Sequence, residues 1–169
     1  AALMGIDLGA GSLKVTIIGS DGRTLGSASS VVETASPYPG WAEQDPEEWY
    51  QGLCAAAPVA LIKAGVLASD IRAVSFSAGA HTPVLLDEDD KVIRSAILWS
   101  DQRSIEESKE LTTQSGAMIQ ETGFNAPNPT WTLPQLKWLC RHEPDNVART
   151  RKLLVAKDYL RFRLSGEWH

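Results

Sequence analysis

Residue types that could bind a phosphate group gather near the start of the chain, where Asp7 precedes a run of small residues. The run is Gly9-Ala10-Gly11-Ser12, and the basic residue Lys14 follows two positions later. Small residues let successive backbone N–H groups point at one anion, and an adjacent carboxylate can hold hydrated Mg²⁺ beside it. The pattern predicts a site for the phosphate end of a nucleotide.

Two common phosphate-binding motifs do not describe this segment. The spacing G-x-x-x-x-G-K-[ST] of a Walker loop is absent, and the segment after the turn is predicted to be a strand, whereas a Rossmann fingerprint opens a helix. A glycine-rich turn with an aspartate is, taken alone, more often only a hairpin turn. The segment by itself does not decide whether Asp7 belongs to a nucleotide site or only to a hairpin turn.

The elements that would position these residues begin with a β-meander. Apolar, β-branched runs predict three strands, at 3–6, 13–18 and 24–32. A helix is then predicted after the N-cap residue Asp45, with a proline and two acids in its first turn. Pro58 lies inside the helical pattern and is expected to kink or end it, because proline removes a backbone donor.

The remaining chain alternates between strands and helices. A buried strand is predicted at 71–77, with further strands at 83–86 and 97–99. A polar helix follows an N-cap at Ser100 or Asp101, and helices are predicted at 134–140 and 157–164, with Gly166 closing the last. These elements predict an α/β domain with a mixed β-sheet flanked by helices.

Composition narrows the function classes. The chain has 169 residues, enough for one domain, and a net charge of −5 with scattered basic residues, so we expect no nucleic-acid partner. Cys54 and Cys140 form no metal or disulfide pattern and are expected to be small buried residues in a reducing compartment. The segment 1–4 carries no targeting or membrane signal, so we expect a cytoplasmic protein without a membrane partner.

Five segments, in this order, carry a family pattern. They are Gly5-Ile6-Asp7-Leu8-Gly9, Pro39-Gly40-Trp41-Ala42-Glu43-Gln44-Asp45-Pro46-Glu47-Glu48-Trp49, Ser75 to His81 with Ala96 to Ser104, Leu133 to Leu139, and Lys157 to Trp168. Together they resemble the N-terminal part of the FGGY family of carbohydrate kinases, specifically its xylulose-kinase-like members, over essentially the whole chain.

The resemblance implies a ribonuclease-H-like, actin-like ATPase fold and ATP-dependent phosphoryl transfer to a hydroxyl of a small-molecule sugar. Residues 1–169 would be an incomplete N-terminal sugar-binding domain. The general-base aspartate and the C-terminal nucleotide-binding domain would lie beyond residue 169, so this stretch alone is expected to be inactive. A homodimer would be an unsurprising assembly for such an enzyme.

The resemblance also assigns roles to residues of the first turn. Asp7 would organise the Mg²⁺ of Mg²⁺-ATP through water. The ATP phosphates would be met by Gly9, Ala10, Gly11, Ser12 and Lys14.

On the sugar side, the resemblance implies contacts from Ala80, His81, Trp99 and Asp101. His81 would hydrogen-bond sugar hydroxyls, and Asp101 could accept from them. Trp99 could form an apolar wall, with burial in the core as the alternative. Arg103 could serve the site or instead pair with a glutamate, Glu106 or Glu107, on the helix surface.

The chain departs from the family pattern in two places, the first of which leaves the substrate open. Xylulose kinases usually carry Gln-Met-His where this chain has Gly79-Ala80-His81, and Ala10 replaces a small hydroxyl residue in the phosphate turn. D-xylulose is the first candidate substrate, with gluconate, L-xylulose or another polyol or pentulose as alternatives. An inactive sugar sensor remains a second hypothesis. The tryptophan-rich segments argue against a third, an actin-like assembly protein.

Overall fold

The computed structural model describes residues 1–167, and Trp168 of the fifth family segment lies outside the described residues. The strands are β1 (Ala2–Leu8), β2 (Ser12–Gly19), β3 (Thr24–Val31), β4 (Glu43–Gln44), β5 (Ile71–Ala78), β6 (Pro83–Leu86), β7 (Ala96–Ile97) and β8 (Lys152–Val155). The helices are α1 (Pro46–Ala64), α2 (Ile105–Gly123), α3 (Thr132–His142), α4 (Pro144–Arg149) and α5 (Ala156–Ser165).

These elements divide into two compact units. Among the described residues, the first unit contains 1–34, 45–79 and 156–167, and the second contains Ala35–Gln44 and Ala80–Val155. The predicted α/β class with a mixed sheet is confirmed in the first unit. Strands β4 and β8 and helix α4 were not predicted, because each is only two to six residues long.

The first unit is built on a four-stranded sheet in the order β3-β2-β1-β5. The β1–β2 and β2–β3 pairs are antiparallel, which confirms the predicted meander, and β5 runs parallel to β1. Alternate residues of β1 and β2 are buried, including Ile6, Leu13, Val15 and Ile17. The other face of these strands carries the polar residues, as period-two alternation requires.

Helix α1 packs on β2 and β3 and contributes Trp49 and Leu53 to the core. Its predicted start is confirmed, because the Asp45 side chain accepts from the Glu47 amide at 2.9 Å. Of the two outcomes expected at Pro58, a kink or an end of the helix, the end does not occur, since α1 continues for six further residues. Packing of the apolar face on the sheet stabilises the helix against the loss of one backbone hydrogen bond.

Strand β5 forms where predicted, but within residues 1–167 it is largely exposed and not buried as expected. It pairs with β1 at the end of the strand order, and five of its eight residues are exposed, Val74 being 43% exposed. Helix α5 packs beside it and ends as predicted at Gly166, whose φ is 72°. Arg163 of α5 pairs with Glu47 of α1, and this ion pair lowers the pKa of the Glu47 carboxyl.

The second unit combines two short antiparallel pairs, β4–β7 and β6–β8, with helices α2, α3 and α4. Its core contains Leu85, Ile97, Trp138 and Leu139, with Trp41 packed against it. The predicted N-cap for α2 is wrong by several residues, because the helix begins after Ser104, whose hydroxyl donates to the Pro129 carbonyl instead.

Both cysteines differ from the prediction. Cys54 and Cys140 are exposed free thiols, because each lies on the outward face of its helix. Within residues 1–167, no helix combines the length and the apolar character that crossing a membrane requires.

Candidate phosphate and sugar sites

Asp7 and Lys14 lie opposite each other on the neighbouring strands β1 and β2. Residues directly opposite in an antiparallel pair project on the same face, with Cβ atoms about 4.5–5.5 Å apart. Both residues are exposed, and they stand on the polar face of the sheet beside the turn at 9–11. The structure thus brings together a carboxylate, an ammonium group and the small-residue turn that the sequence singled out.

The turn itself is fixed by backbone contacts. The Gly9 amide donates to the Ser12 carbonyl at 2.9 Å, so Gly9 shapes the turn with its amide rather than offering it to a ligand. The Gly11 carbonyl accepts from the Val32 amide at 3.1 Å, and the Ala10 carbonyl accepts from the Thr34 hydroxyl at 3.0 Å. The segment after β3 therefore holds the turn in place.

This turn fits the phosphate end of Mg²⁺-ATP. A Cβ added to Gly11 would meet no atom within 4 Å, so the surface of the turn is open for a close approach. One exposed carboxylate is enough for Mg²⁺, which keeps most of its waters and takes further ligands from phosphates. Asp7 is suited to hold a metal-bound water, and Lys14 is suited to face phosphate oxygens.

His81 lies in the second unit, three residues after the end of β5 along the chain. Its backbone φ is 56°, the left-handed region, which costs a residue with a β-carbon about 1–2 kcal/mol. Its ring stacks on Trp131 with centroids 5.6 Å apart and planes at 18°. Its Nδ1 lies 3.3 Å from the Thr132 hydroxyl and 3.4 Å from the Thr132 amide. A strained backbone held by specific contacts is characteristic of a functional position.

Trp131 and Thr132 were not singled out from the sequence. The helix was predicted to start at 134, so its true first residues were read as loop. One feature of the sequence could have pointed to them: the N-cap residue Trp131 has no side-chain acceptor for the helix amides, so an acceptor must come from elsewhere.

Trp99 and Ala80 are accessible. Trp99 is 50% exposed, so it is not part of the core of the described residues and stays a candidate apolar wall for a sugar. Ala80 is exposed, with a methyl group where a methionine side chain was expected by resemblance.

Asp101 is placed differently from the prediction. Its side chain is 1% exposed. One carboxylate oxygen accepts from the Arg103 amide at 2.8 Å and from Arg103 Nε at 2.9 Å. The other accepts from the Ala42 amide at 2.6 Å and from Arg103 Nη2 at 2.7 Å. A buried carboxylate whose acceptor positions are all used has none left for a sugar hydroxyl, so we correct its role to a structural one.

For Arg103, the alternative of a surface pairing with Glu106 or Glu107 is not what the structure shows. Its side chain is fully buried, donates to Glu43 at 2.6 Å and lies 3.7 Å from the centre of the Trp41 ring. The cluster continues through Arg94, which pairs with both Glu43 and Glu143. Glu43 and Trp41 belong to one family segment and Asp101 and Arg103 to another, so the cluster joins two of the five segments.

The fold and the candidate phosphate turn define a class of protein. A β-meander followed by a helix and a strand parallel to the first, with an aspartate near the end of β1, is the arrangement of the actin-like ATPase fold. The family model for the N-terminal domain of the FGGY family of carbohydrate kinases matches residues 2–169, and the chain belongs to this family.

Individual relatives agree with the family assignment. The chain is 36% identical over 165 residues to a xylulose kinase of Escherichia coli and 34% identical over 167 residues to one of Bacillus subtilis. These alignments cover 98% and 99% of the chain but 34% of each relative, so the chain spans about a third of their length. A crystal structure of a xylulose kinase from Brucella ovis superposes with a TM-score of 0.93 at 35% identity, over 99% of this chain and 35% of that one.

Proposed function

We propose that the protein carrying this chain is an ATP-dependent kinase that phosphorylates a hydroxyl of a pentulose, with D-xylulose as the first candidate. The observation that carries the proposal is the exposed Asp7, opposite Lys14 and beside an open small-residue turn, in a chain that matches the family along its length. The similarity to two xylulose kinases supports the substrate class.

The residues of the first unit would handle the phosphates. Phosphoryl transfer demands positioning and charge stabilisation more than covalent chemistry from the protein. Asp7 would orient a water on the metal ion, and Lys14 would balance the charge on phosphate oxygens. When bound, Mg²⁺ neutralises charge on the transferred group. By the family resemblance, an aspartate other than Asp7 acts as the general base that takes the sugar proton.

The residues of the second unit would handle the sugar. His81 would hydrogen-bond a sugar oxygen, and the half-exposed Trp99 would cover an apolar face of the sugar, a sparse set of polar and apolar groups typical of small-molecule sites. The buried Asp101 and Arg103 would support this part of the chain without touching the sugar. We also propose a cytoplasmic location. We further propose a homodimer, and light scattering would test this oligomeric state.

The kinase proposal is tested by coupled ADP release from the full-length protein, with Mg²⁺-ATP and a panel of pentuloses, sugar acids and polyols. We expect one ketose to stimulate ADP release and Asp7→Ala to reduce kcat at least a hundredfold, the scale typical of a lost electrostatic group. Asp21→Ala is the matched control, because Asp21 is an exposed turn aspartate of the same sheet. Equal activity in both variants would refute the role of Asp7.

The sugar contact is tested with His81→Ala. We expect the KM for the sugar to rise about tenfold, the effect of one hydrogen bond worth about 1.4 kcal/mol, while the KM for ATP stays constant. His142→Ala is the control, since His142 belongs to the same unit and is 48% exposed. A sugar KM unchanged in His81→Ala would remove His81 from the site.

A sugar sensor without turnover is the second candidate, and the small side chains at Gly79 and Ala80 favour it. Such a protein would bind a sugar in calorimetry but release no ADP with any member of the panel. Ala80→Met separates the readings, because it restores the side chain expected by resemblance. In a kinase with a wider pocket, this variant should narrow the substrate range, with changes of about 10- to 200-fold in kcat/KM ratios.

A further inference from the structure

One edge of the His81 ring is occupied by the first residues of helix α3. Thr132 is the first residue of α3, and both its backbone amide and its hydroxyl lie within 3.4 Å of His81 Nδ1. Trp131, the N-cap residue, covers one face of the ring. The imidazole is therefore held on an edge and a face by two consecutive residues.

The direction of the backbone hydrogen bond decides where the ring proton sits. A backbone N–H can only donate, so Nδ1 must accept and carries no proton. In the neutral imidazole the single N–H is then on Nε2. The Thr132 hydroxyl can donate to the same nitrogen, which favours the same tautomer.

Helix α3 has its own need for this acceptor. The first amides of a helix have no partner within the helix, and the N-cap residue Trp131 supplies no side-chain cap. His81 Nδ1 takes that place from a position 51 residues earlier in the chain. An unprotonated nitrogen also suits the positive end of the helix dipole.

We propose that Thr132 is a positioning residue that fixes His81 as the Nε2–H tautomer, so that the site presents a hydrogen-bond donor to an oxygen of the sugar. This inference rests on the proposed sugar contact of His81. It adds a specific requirement: the sugar atom facing Nε2 must act as an acceptor, either a hydroxyl or a carbonyl oxygen.

Two substitutions at Thr132 separate the amide from the hydroxyl. Thr132→Pro removes the N–H, and the site suits proline, because the first position of a helix accepts it. The preceding residue, Trp131, already has the extended backbone that a following proline requires, with φ −87° and ψ 153°. Thr132→Val is the matched control, since it also lacks the hydroxyl but keeps the N–H.

The first readout is ¹⁵N NMR of the full-length protein labelled at histidine, with His81→Gln identifying the His81 signals. We expect the Nε2–H tautomer in the unmodified protein and in Thr132→Val, and a mixture of tautomers in Thr132→Pro. A protonated Nδ1 in the neutral ring of the unmodified protein would overturn the proposal without any variant.

The second readout is kinetic. We expect the KM for the sugar to rise about tenfold in Thr132→Pro and no more than about threefold in Thr132→Val, with the KM for ATP constant in both. A changed tautomer in Thr132→Pro with an unchanged sugar KM would overturn the positioning role. If no sugar stimulated ADP release in the unmodified protein, the proposed function would fail, while the NMR spectrum would still decide the tautomer.

Discussion

Arg103 is the residue whose replacement gives the most direct test of the second unit. Arg103→Met keeps much of the volume of the side chain but removes a fully buried cation. It breaks two hydrogen bonds to Asp101 and one to Glu43. We expect this change to destabilise the protein strongly without disrupting the local helices.

The expected loss in the free energy of unfolding depends on the hydrogen-bond partners that Glu43 and Asp101 keep after Arg103 is replaced. Removing one partner of a buried ion pair costs about 3–5 kcal/mol, because the other charge is left uncompensated. Glu43 keeps Arg94, and Asp101 keeps the amides of Ala42 and of residue 103, so the loss should fall near the lower end, about 3 kcal/mol. That is a large part of a total stability of about 5–15 kcal/mol.

The assay is urea unfolding followed by tryptophan fluorescence, with Trp41 directly beneath the guanidinium as an internal reporter. Asp101→Asn removes the carboxylate charge that Arg103→Met leaves without its cation. The loss in the free energy of unfolding of the double variant should therefore be at least about 2 kcal/mol smaller than the sum of the two single losses. Arg23→Met is the control, because Arg23 forms an exposed ion pair and should cost less than about 1 kcal/mol. Additive single costs, or a loss below about 1 kcal/mol for Arg103→Met, would refute the reasoning.

Three further predictions each concern a substitution at one position. Gly26→Ala would place its Cβ 2.6 Å from the Ala64 amide nitrogen of α1, so we expect a loss of about 1–3 kcal/mol in urea unfolding. The hydrogen bond from Arg141 is the main cause that lowers the pKa of the Glu110 carboxyl to about 2. The stabilisation that ionised Glu110 contributes is therefore complete above about pH 4.3 and is lost as the pH falls toward 2. The difference in Tm between the unmodified protein and Glu110→Gln should shrink over that range. Gly11→Ala meets no atom within 4 Å, so it should leave the Tm unchanged and raise only the KM for ATP.

Controls for these predictions are available in the same chain. Gly123→Ala adds a Cβ with no atom within 4 Å and should be tolerated, unlike Gly26→Ala. Glu106→Gln removes an exposed ion pair with Lys109 and should show a smaller difference in Tm than Glu110→Gln. A Tm loss in Gly11→Ala would contradict the open turn, and a constant difference for Glu110→Gln from pH 5 to 2 would contradict the lowered pKa.

Local patterns were sufficient for much of the first unit. The alternation of apolar residues predicted the β1–β2–β3 meander, and Asp45 with Pro46 predicted the start of α1, because strand faces and helix caps depend on residues close in sequence. The candidate phosphate turn could likewise be located from the sequence, since Asp7, the small residues and Lys14 lie within eight positions of one another.

The sequence by itself therefore determined the family, the meander and the candidate phosphate turn. Only the tertiary structure decided that β5 is exposed within residues 1–167, that Asp101 and Arg103 are buried together, and that His81 is held by the start of α3. Asp101 and Arg103 are close in sequence, but their surroundings come from contacts with Ala42 and Glu43, 59 and 60 positions away. The contact of Thr132 with His81 joins residues 51 positions apart. No local pattern encodes such contacts, because burial and hydrogen-bond partners are set by which segments the folded chain brings together.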